Sequence, residues 1–475
     1  MEIKDSLLTP KTNFAMRGNL RELEPTIQKQ WQTIDLYQQL ITKNKGNTPY
    51  ILHDGPPYAN GNIHVGHAFN QILKDFVVRT KSMAGFYSPY IPGWDCHGLP
   101  IENALQKKGV KRNEMPAADF RDLCQKFAEE QIDLQRTQFK SLGAIGDWDH
   151  PYVTYNKEYE ANQISVFADM ALKGLIYKGL KPVYWSPVSE TALAEAEIIY
   201  KDKEDISIYV SFPVVDTKGF LPDDTKFVIW TTTPWTMPAN LAIALNPNMT
   251  YGLYDTNHGL LIFAVSLEKE LSDTLSLAQV KLVRTFLGQE LEGIVTKHPM
   301  YNRNSVIVLA DYVTEDAGTG CVHTAPGHGA DDFITGQKYG LEVLCPVDSK
   351  GYMTEEAGEL FAGLHYSEAN DKVVSELERL GVLLASVKFN HSYPHDWRTE
   401  TPLIFRATDQ WFASIEPIKD QILTSIDEVK WYTEWANLRM RNMMKDRSDW
   451  CISRQRLWGL PIPIIYNEDG SPILE

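Results

Sequence analysis

The sequence is poor in cysteine, and its five cysteines lie scattered at positions 96, 124, 321, 345 and 451. No Cys-x-x-Cys pair occurs, so neither a disulfide framework nor a structural zinc site has support. A reducing cytoplasm is the expected compartment. Long apolar runs are also missing: none approaches the ~18 residues of a membrane span. The opening stretch MEIKDSLLTPKTNF carries charges where a signal peptide needs an apolar run, and no membrane partner is expected. Positive charge is in deficit, with 46 Lys and Arg against 62 Asp and Glu and a formal net charge of -16. That excludes a nucleic-acid binder working through bulk basicity; a polyanion has to meet a local basic face. Residues 430–459 offer one, with seven basic side chains against three acidic, although a solvated helix surface reads the same way. Internal repeats and low-complexity segments are absent.

What is present is an ordinary globular chain of 475 residues, 43% apolar and 23% charged. At ~150 residues per domain the length suggests about three domains and more than one sizeable core. Residues 19–41 read as an opening helix, with Asn19 and Glu22 at capping-box spacing and Leu20, Leu23, Ile27, Trp31 and Ile34 on one face. Tyr50–Leu52 reads as a strand running into the loop HDGPPYANGN. A helix from about His64 carries an apolar stripe at Phe69, Ile72, Leu73, Phe76 and Val77, and 117–142 is a further helix. From about 181 to 390 the texture turns β-branched and aromatic (ISIYVSF, KFVIWTTT, SVIVLADYV), as expected of a mostly β domain inserted into an α/β one. Helical texture returns after HSYPHDWR, and LPIPIIY near the end reads as a strand that nothing follows to complete a layer.

The first chemical signal is HDGPPYANGNIHVGH at 53–67. Gly55, Gly61 and Gly66 permit close backbone approach, and Pro56-Pro57 stiffens the turn. His64 and His67 are neighbours on a first helical turn, roughly opposite the Phe69/Ile72/Phe76 stripe that core histidines would share. A helix N-terminus with free N–H groups suits a phosphate, and two imidazoles there can stabilise charge on a transferring phosphoryl group. A structural pair or a zinc pair are the rival readings. The latter lacks the Glu of HExxH and any Cys nearer than Cys96.

This segment resembles the HIGH signature of the class I aminoacyl-tRNA synthetases, with Val65 in place of the usual Ile. The strings GWDCHGLPIE (93–102), WTTTPWTMPAN (230–240), HTAPGHGADDF (323–333) and DWCISRQRLWG (449–459) resemble the isoleucyl members, bacterial type, over essentially the whole chain in order. The resemblance implies a Rossmann-like parallel-sheet catalytic domain carrying a large inserted β-rich editing domain. The expected divisions are a helical segment at 1–45, the first part of the catalytic domain at 46–199, the insertion at 200–390, and an incomplete return at 391–475.

The implied activity is attack of the isoleucine carboxylate on the α-phosphate of ATP, which enters with Mg2+, followed by acyl transfer to tRNA(Ile). Such catalysis is positioning plus electrostatics. The resemblance assigns the phosphates to His64 and His67 with Gly66 beside the adenine. It gives the amino-acid pocket to Gly55, Pro56 and Asp95, the last facing the substrate ammonium. Trp458 is the expected apolar wall, with Trp450 as alternative. An apolar pocket separates isoleucine from valine by only about 1–3 kcal/mol, this pair being the standing example of that limit, so a second, hydrolytic site is implied. Thr232, Thr233, Asn240 and His323 are its implied orienting groups, and Asp332 its ammonium partner. Read without the resemblance, the Thr run is exposed strand, Asp332 a helix N-cap, and His/His/Asp/Asp a metal hydrolase. No metal is expected at this site. Where many relatives carry a zinc Cys-x-x-Cys, this chain has Ser186-Pro187-Val188-Ser189. A KMSKS signature is absent from the 475 residues, and KDRSDW is not a version of it. The expectation is the N-terminal part of a longer enzyme, impaired in adenylate formation. Valyl or leucyl specificity, or a tRNA-deacylating module without synthetic activity, remain the alternatives.

Overall fold

The single helix that periodicity predicts over residues 19–41 is broken. In the computed structural model, which describes Ser6, Asn13, residues 18–445, Arg447 and 449–473, two helices occupy the stretch, Leu20–Thr33 and Leu36–Asn44. Asp35 stops the first at a left-handed φ of 47° and caps the second by accepting Gln38 N–H, the role a short acidic side chain takes where a helix begins. The predicted capping box does not form: Asn19 is itself left-handed and its side chain makes no cap bond.

The chain divides into two compact units, Met1–Ala168 with Arg456–Tyr466, and Asp169–Gln455 with Asn467–Glu475. In the first, the expected strand at 50–52 reduces to a parallel bridge between Pro49 and Tyr87. Parallel pairing continues at Tyr58–Asp95 and between Gly93–Trp94 and Tyr152–Val153, which is the small parallel layer of an α/β fold. Glycine is obligatory at 93, because a Cβ there would lie 2.1 Å from the Tyr152 ring. The helix Ala117–Ser141 forms as read and buries Phe120, Phe127, Ile132 and Phe139 around Trp94 and Ile101.

The helix Val65–Met83 departs from its pattern. Phe69, Leu73 and Phe76 are 65%, 45% and 60% exposed, while Gln71, Asp75 and Val78 are buried. Hydrogen bonds decide the inward face. Tyr90 O–H donates to Gln71 Oε1 at 3.1 Å, and Asp75 accepts Ile145 N–H at 2.9 Å while pairing with Arg79.

In the second unit the β-rich runs build a ten-stranded mixed sheet. Lys226–Thr231 pairs antiparallel with Ile208–Pro213 and also adjoins Cys321–Thr324. The run then continues through Ala242–Leu245, Asn304–Leu309 and Val295–Lys297 back to Ile198–Asp216, closing six strands into a ring. The ring itself has no edge, and Phe212, Phe227, Ile229, Tyr251, Tyr254 and Phe263 pack into one core. Two long antiparallel ribbons flank it: Ile198–Val210 with Leu383–Asp396, and Ile176–Trp185 with Ile404–Ala413. Ser186 and Ser189 both donate to Asp396 Oδ2 at 2.8 Å, a hydrogen-bonded tie in the Ser-x-x-Ser stretch. Among the described residues no helix is long and apolar enough to cross a membrane.

The first unit hangs on Asp54, a residue the sequence does not single out. Its buried carboxylate takes Lys74 Nζ, Tyr90 O–H at 2.9 Å and Gly93 N–H at 2.9 Å, tying the 53–61 loop to the neighbouring helix and strand. Asp54→Ala is expected to lower unfolding stability by about 3–5 kcal/mol, because it strands a poorly exposed Lys74 charge. Asp54→Asn should cost less. Urea titration followed by tryptophan fluorescence checks both.

Candidate functional site

In the first unit, the short Tyr58–Asp95 bridge satisfies only part of the 55–61 loop, and a side chain meets further carbonyls. Gln135, fully buried on the helix Ala117–Ser141, donates to Tyr58 O at 2.9 Å and Gly61 O at 2.7 Å, and accepts Trp94 Nε1–H at 3.0 Å. The loop delivers His64 as the N-cap of the helix Val65–Met83. His64 Nδ1 accepts Gly66 N–H at 3.1 Å and His67 N–H at 3.3 Å, while His67 Nδ1 accepts His64 N–H at 3.3 Å. The rings stack with centroids 3.8 Å apart. Each Nδ1 is thus a lone-pair acceptor, which assigns the ring proton to Nε2 in both residues. Burial and the neighbouring His64 hold the His67 pKa below its ordinary value. The result is a pair of neutral imidazoles offering two Nε2–H donors. This revises the expected bare helix terminus, since the Gly66 and His67 amides are already occupied by His64.

Asp95 is half-buried, held in place by Asp95 N–H to Pro57 O at 2.9 Å and Ala59 N–H to Asp95 O at 3.1 Å. Gly55 and Pro56 belong to the same loop, and Gly55 O accepts Lys74 Nζ at 3.1 Å. Trp458 packs on the 93–102 segment: its indole N–H donates to Cys96 O, and its ring meets His97 edge-on at 5.2 Å. Buried Glu102 holds that return of chain by accepting Leu457 and Trp458 N–H at 3.0 and 2.9 Å. Trp458 is 4% exposed; Trp450, 51% exposed, lies in the other unit. Burial, with Arg121 adding, pushes His97 down to about 4, so it too is neutral.

The second unit gathers Thr231–Thr233, Asn240 and His323 around the end of the strand Lys226–Thr231. The buried 3-10 turn Pro234–Ala239 links the threonines to Asn240. Asn240 Nδ2 donates to His323 Nδ1 at 2.8 Å and to Ala242 O at 2.9 Å. His323 Nε2 therefore carries the proton and donates to Thr236 Oγ1 at 2.9 Å, and Thr236 donates to Thr233 O at 2.8 Å. Thr236 is a member that sequence reasoning missed, although it sits three residues beyond Thr233. Burial holds His323 down to about 3, with His328 and Arg303 adding, so both of its nitrogens serve as fixed neutral partners. Asn240 Oδ1 is buried and meets no donor among the described residues. Thr232 is half-buried.

Asp332 is not the N-cap of the helix Ala330–Tyr339; Gly329 occupies that position. The Asp332 carboxylate turns back to accept Ala325 N–H at 2.9 Å and Tyr312 O–H at 3.1 Å. Burial raises it to about 6 despite those two bonds. His328 donates Nδ1–H to Phe405 O at 2.9 Å and, pushed down to about 4 by burial, is neutral. The loop ahead of it requires Gly327, where a Cβ would lie 2.1 Å from Leu344 O. Among the described residues no group of three or more His, Cys, Asp or Glu side chains is placed to hold a metal ion.

One unit thus carries two neutral imidazoles at a helix start beside a small parallel layer, and the β-rich unit carries a Thr/Asn/His cluster and the buried carboxylate of Asp332. Residues 26–474 match the family described as tRNA synthetases class I (I, L, M and V), and the chain belongs to that family. Within it, the chain is 59% identical over 474 residues to the isoleucine--tRNA ligase of Geobacillus thermodenitrificans and 58% identical to that of Geobacillus kaustophilus. The isoleucine--tRNA ligase of a Bacillus cereus strain is 57% identical. The isoleucyl resemblance drawn from the strings is thereby borne out. Each match covers all of this chain and 51% of the relative, so the chain spans about half the length of the curated relatives it matches. Among solved structures, a ternary complex of an Agrobacterium radiobacter LeuRS with tRNA and LeuAMS aligns with 96% of this chain and 52% of its own, at 20% identity and a TM-score of 0.40.

The Asp332 environment fixes a measurable sign. A carboxyl titration by carbon-13 NMR is expected to give a midpoint near 6, moving higher in Tyr312→Phe, which deletes a bond to the ionised form. Because the folded value exceeds the unfolded one, this group's contribution favours the fold at low pH and is lost as pH rises through about 6.

Proposed function

We propose that this chain supplies residues of the amino-acid-activation site and the editing site of an isoleucine--tRNA ligase. Its reading is ATP-dependent formation of isoleucyl-adenylate for tRNA(Ile), with hydrolysis of mischarged valyl-tRNA(Ile) in the β-rich insertion at 200–390. The observation that carries the reading is the match of this whole chain to about half of each isoleucine--tRNA ligase at 57–59% identity. In the synthetic reaction, ATP enters as its magnesium complex. The Nε2–H donors of His64 and His67 meet the phosphate oxygens on which negative charge grows, and Gly66 leaves room for the adenine. As neutral donors they stabilise that charge without themselves exchanging a proton. Asp95 pairs with the isoleucine ammonium, while Gly55, Pro56 and Trp458 wall the side chain.

In the editing reaction, water adds to the ester carbonyl carbon and the carbon–oxygen bond to the terminal ribose breaks. The water's proton ends on the ribose oxygen, so the products are valine and free tRNA. Asp332 holds the valine ammonium. Thr232, Thr233 and the free acceptor Asn240 Oδ1 orient ester and water, with His323 fixing Asn240. The raised Asp332 pKa adds a pH dependence: ammonium recognition needs the carboxylate, so hydrolysis falls as pH drops through about 6.

The synthetic reaction also needs lysines that neutralise the triphosphate, and no KMSKS signature occurs in these 475 residues. ATP–pyrophosphate exchange by the 475-residue chain is therefore expected near background, and a near-normal rate overturns that. Asp332→Ala is expected to abolish valyl-tRNA(Ile) deacylation while near-ultraviolet circular dichroism stays unchanged. Undiminished deacylation removes Asp332 from the site.

A further inference from the structure

The turn Pro234–Ala239 joins every polar group of the hydrolytic cluster except Asp332, and all six of its residues are buried. Prolines at 234 and 238 deprive it of two N–H donors, so no regular ladder can hold it. Local bonds satisfy part of it, with Thr236 N–H meeting Thr233 O at 3.0 Å and Asn240 N–H meeting Met237 O at 3.1 Å, and further buried groups of the turn take partners from outside. Three side chains supply them. Asn370 Oδ1, on the helix Tyr366–Arg379, accepts Trp235 N–H at 2.9 Å. His298 Nε2–H donates to Met237 O at 2.9 Å, and the Arg303 guanidinium donates to Pro238 O.

The two donors are ends of one loop, closed by His298 N–H to Arg303 O at 3.0 Å. The His298 tautomer is fixed, because its Nδ1 accepts Met300 N–H at 3.0 Å and leaves the proton on Nε2. Phe212 and Tyr301 contact the His298 ring edge-on, and the Arg303 guanidinium lies 4.8 Å from the Tyr301 ring centre, so neither donor is free to swing. Two successive carbonyls of the turn are thus gripped from one rigid loop. The next residues, Ala239 and Asn240, carry the amide that orients His323 and presents the unpartnered Oδ1.

We infer that the His298–Arg303 loop is the positioning element of the hydrolytic site, holding the Met237 and Pro238 carbonyls so that Asn240, His323 and Thr236 keep one geometry. The inference rests on the reading of this unit as an aminoacyl-ester hydrolase. Neither side chain touches the ester; each acts through the turn. Loss of a grip shifts Asn240 Oδ1 relative to water and ester. A small misplacement of this kind costs up to about 100-fold in rate, with little effect on binding through Asp332.

The test measures kcat and KM for valyl-tRNA(Ile) hydrolysis by the 475-residue chain, alongside amide exchange. Arg303→Ala is expected to lower kcat about 10- to 100-fold with KM within about twofold, and Arg303→Lys, which keeps a donor, to recover most of it. His298→Phe keeps an aromatic ring in the same contacts but deletes the donor, and should behave like Arg303→Ala. Exchange at Thr236 and Asn240 should quicken in both deletions while the strand Thr250–Thr256 stays protected. A kcat within twofold of the parent in Arg303→Ala or His298→Phe overturns the inference, as does protection lost throughout the sheet. A parent chain that leaves valyl-tRNA(Ile) intact overturns the hydrolase reading itself, and this inference with it.

Discussion

Both candidate sites are built on loops rich in proline and glycine, and everything about them depends on one constraint: a buried backbone group must have a partner even where no ladder exists to provide it. In the first unit Asp54, Gln135 and Glu102 answer that demand for the 53–61 loop, the 93–102 segment and the returning chain at 457–458. In the second unit Asn370, His298 and Arg303 do so for one turn, and Asp332 does so for Ala325 N–H. Each of these side chains is also a geometric restraint, because a hydrogen bond to a fixed carbonyl or amide works only over a narrow range of distance and angle. Loops satisfied in this way are as well defined as helices.

The same pairing controls charge. Six histidines near the candidate sites (64, 67, 97, 298, 323 and 328) are held by backbone or side-chain bonds, by burial, or by both. For five of them burial pushes the pKa below its ordinary value. They are neutral partners, with tautomers assigned at His67, His298, His323 and His328, which suits chemistry that stabilises developing charge through oriented donors rather than through cations. Asp332 is the counterexample in the opposite direction: two hydrogen bonds do not outweigh its burial, and its carboxyl titrates near 6. A chain that is acidic overall thus presents donor-rich surroundings at 64–67 and one raised carboxyl at 332.

Periodicity served unevenly. It located the helix Ala117–Ser141, whose apolar residues do face a core, and the β-rich runs of the second unit. It failed at 19–41, where Asp35 adopts a left-handed conformation and splits one expected helix into two. At Val65–Met83 the pattern correctly marked an apolar stripe but not the buried face, because Asp75 and Gln71 turn inward to meet Ile145 and Tyr90. A spacing rule reports which residues share a face, and long-range hydrogen bonds decide which face is covered. Asp54, Thr236, His298, Arg303 and Asn370 were invisible for a related reason: each acts on a segment distant in sequence or through a bond direction that residue type alone does not reveal.

The sequence by itself determined the family and the residue types at both sites, because the strings at 53–67, 93–102, 230–240 and 323–333 are long, ordered and chemically specific. It also placed the β-rich texture and offered no Cys-x-x-Cys pair for a metal. Only the tertiary structure decided the states of those residues: which nitrogen of His64, His67 and His323 holds the proton, that Trp458 rather than Trp450 packs on Cys96 and His97, and that Asp332 turns back to Ala325 instead of capping its helix. The physical reason is the same throughout. Composition and spacing fix which groups are available, whereas burial and hydrogen bonds from elsewhere in the chain fix their protonation and direction.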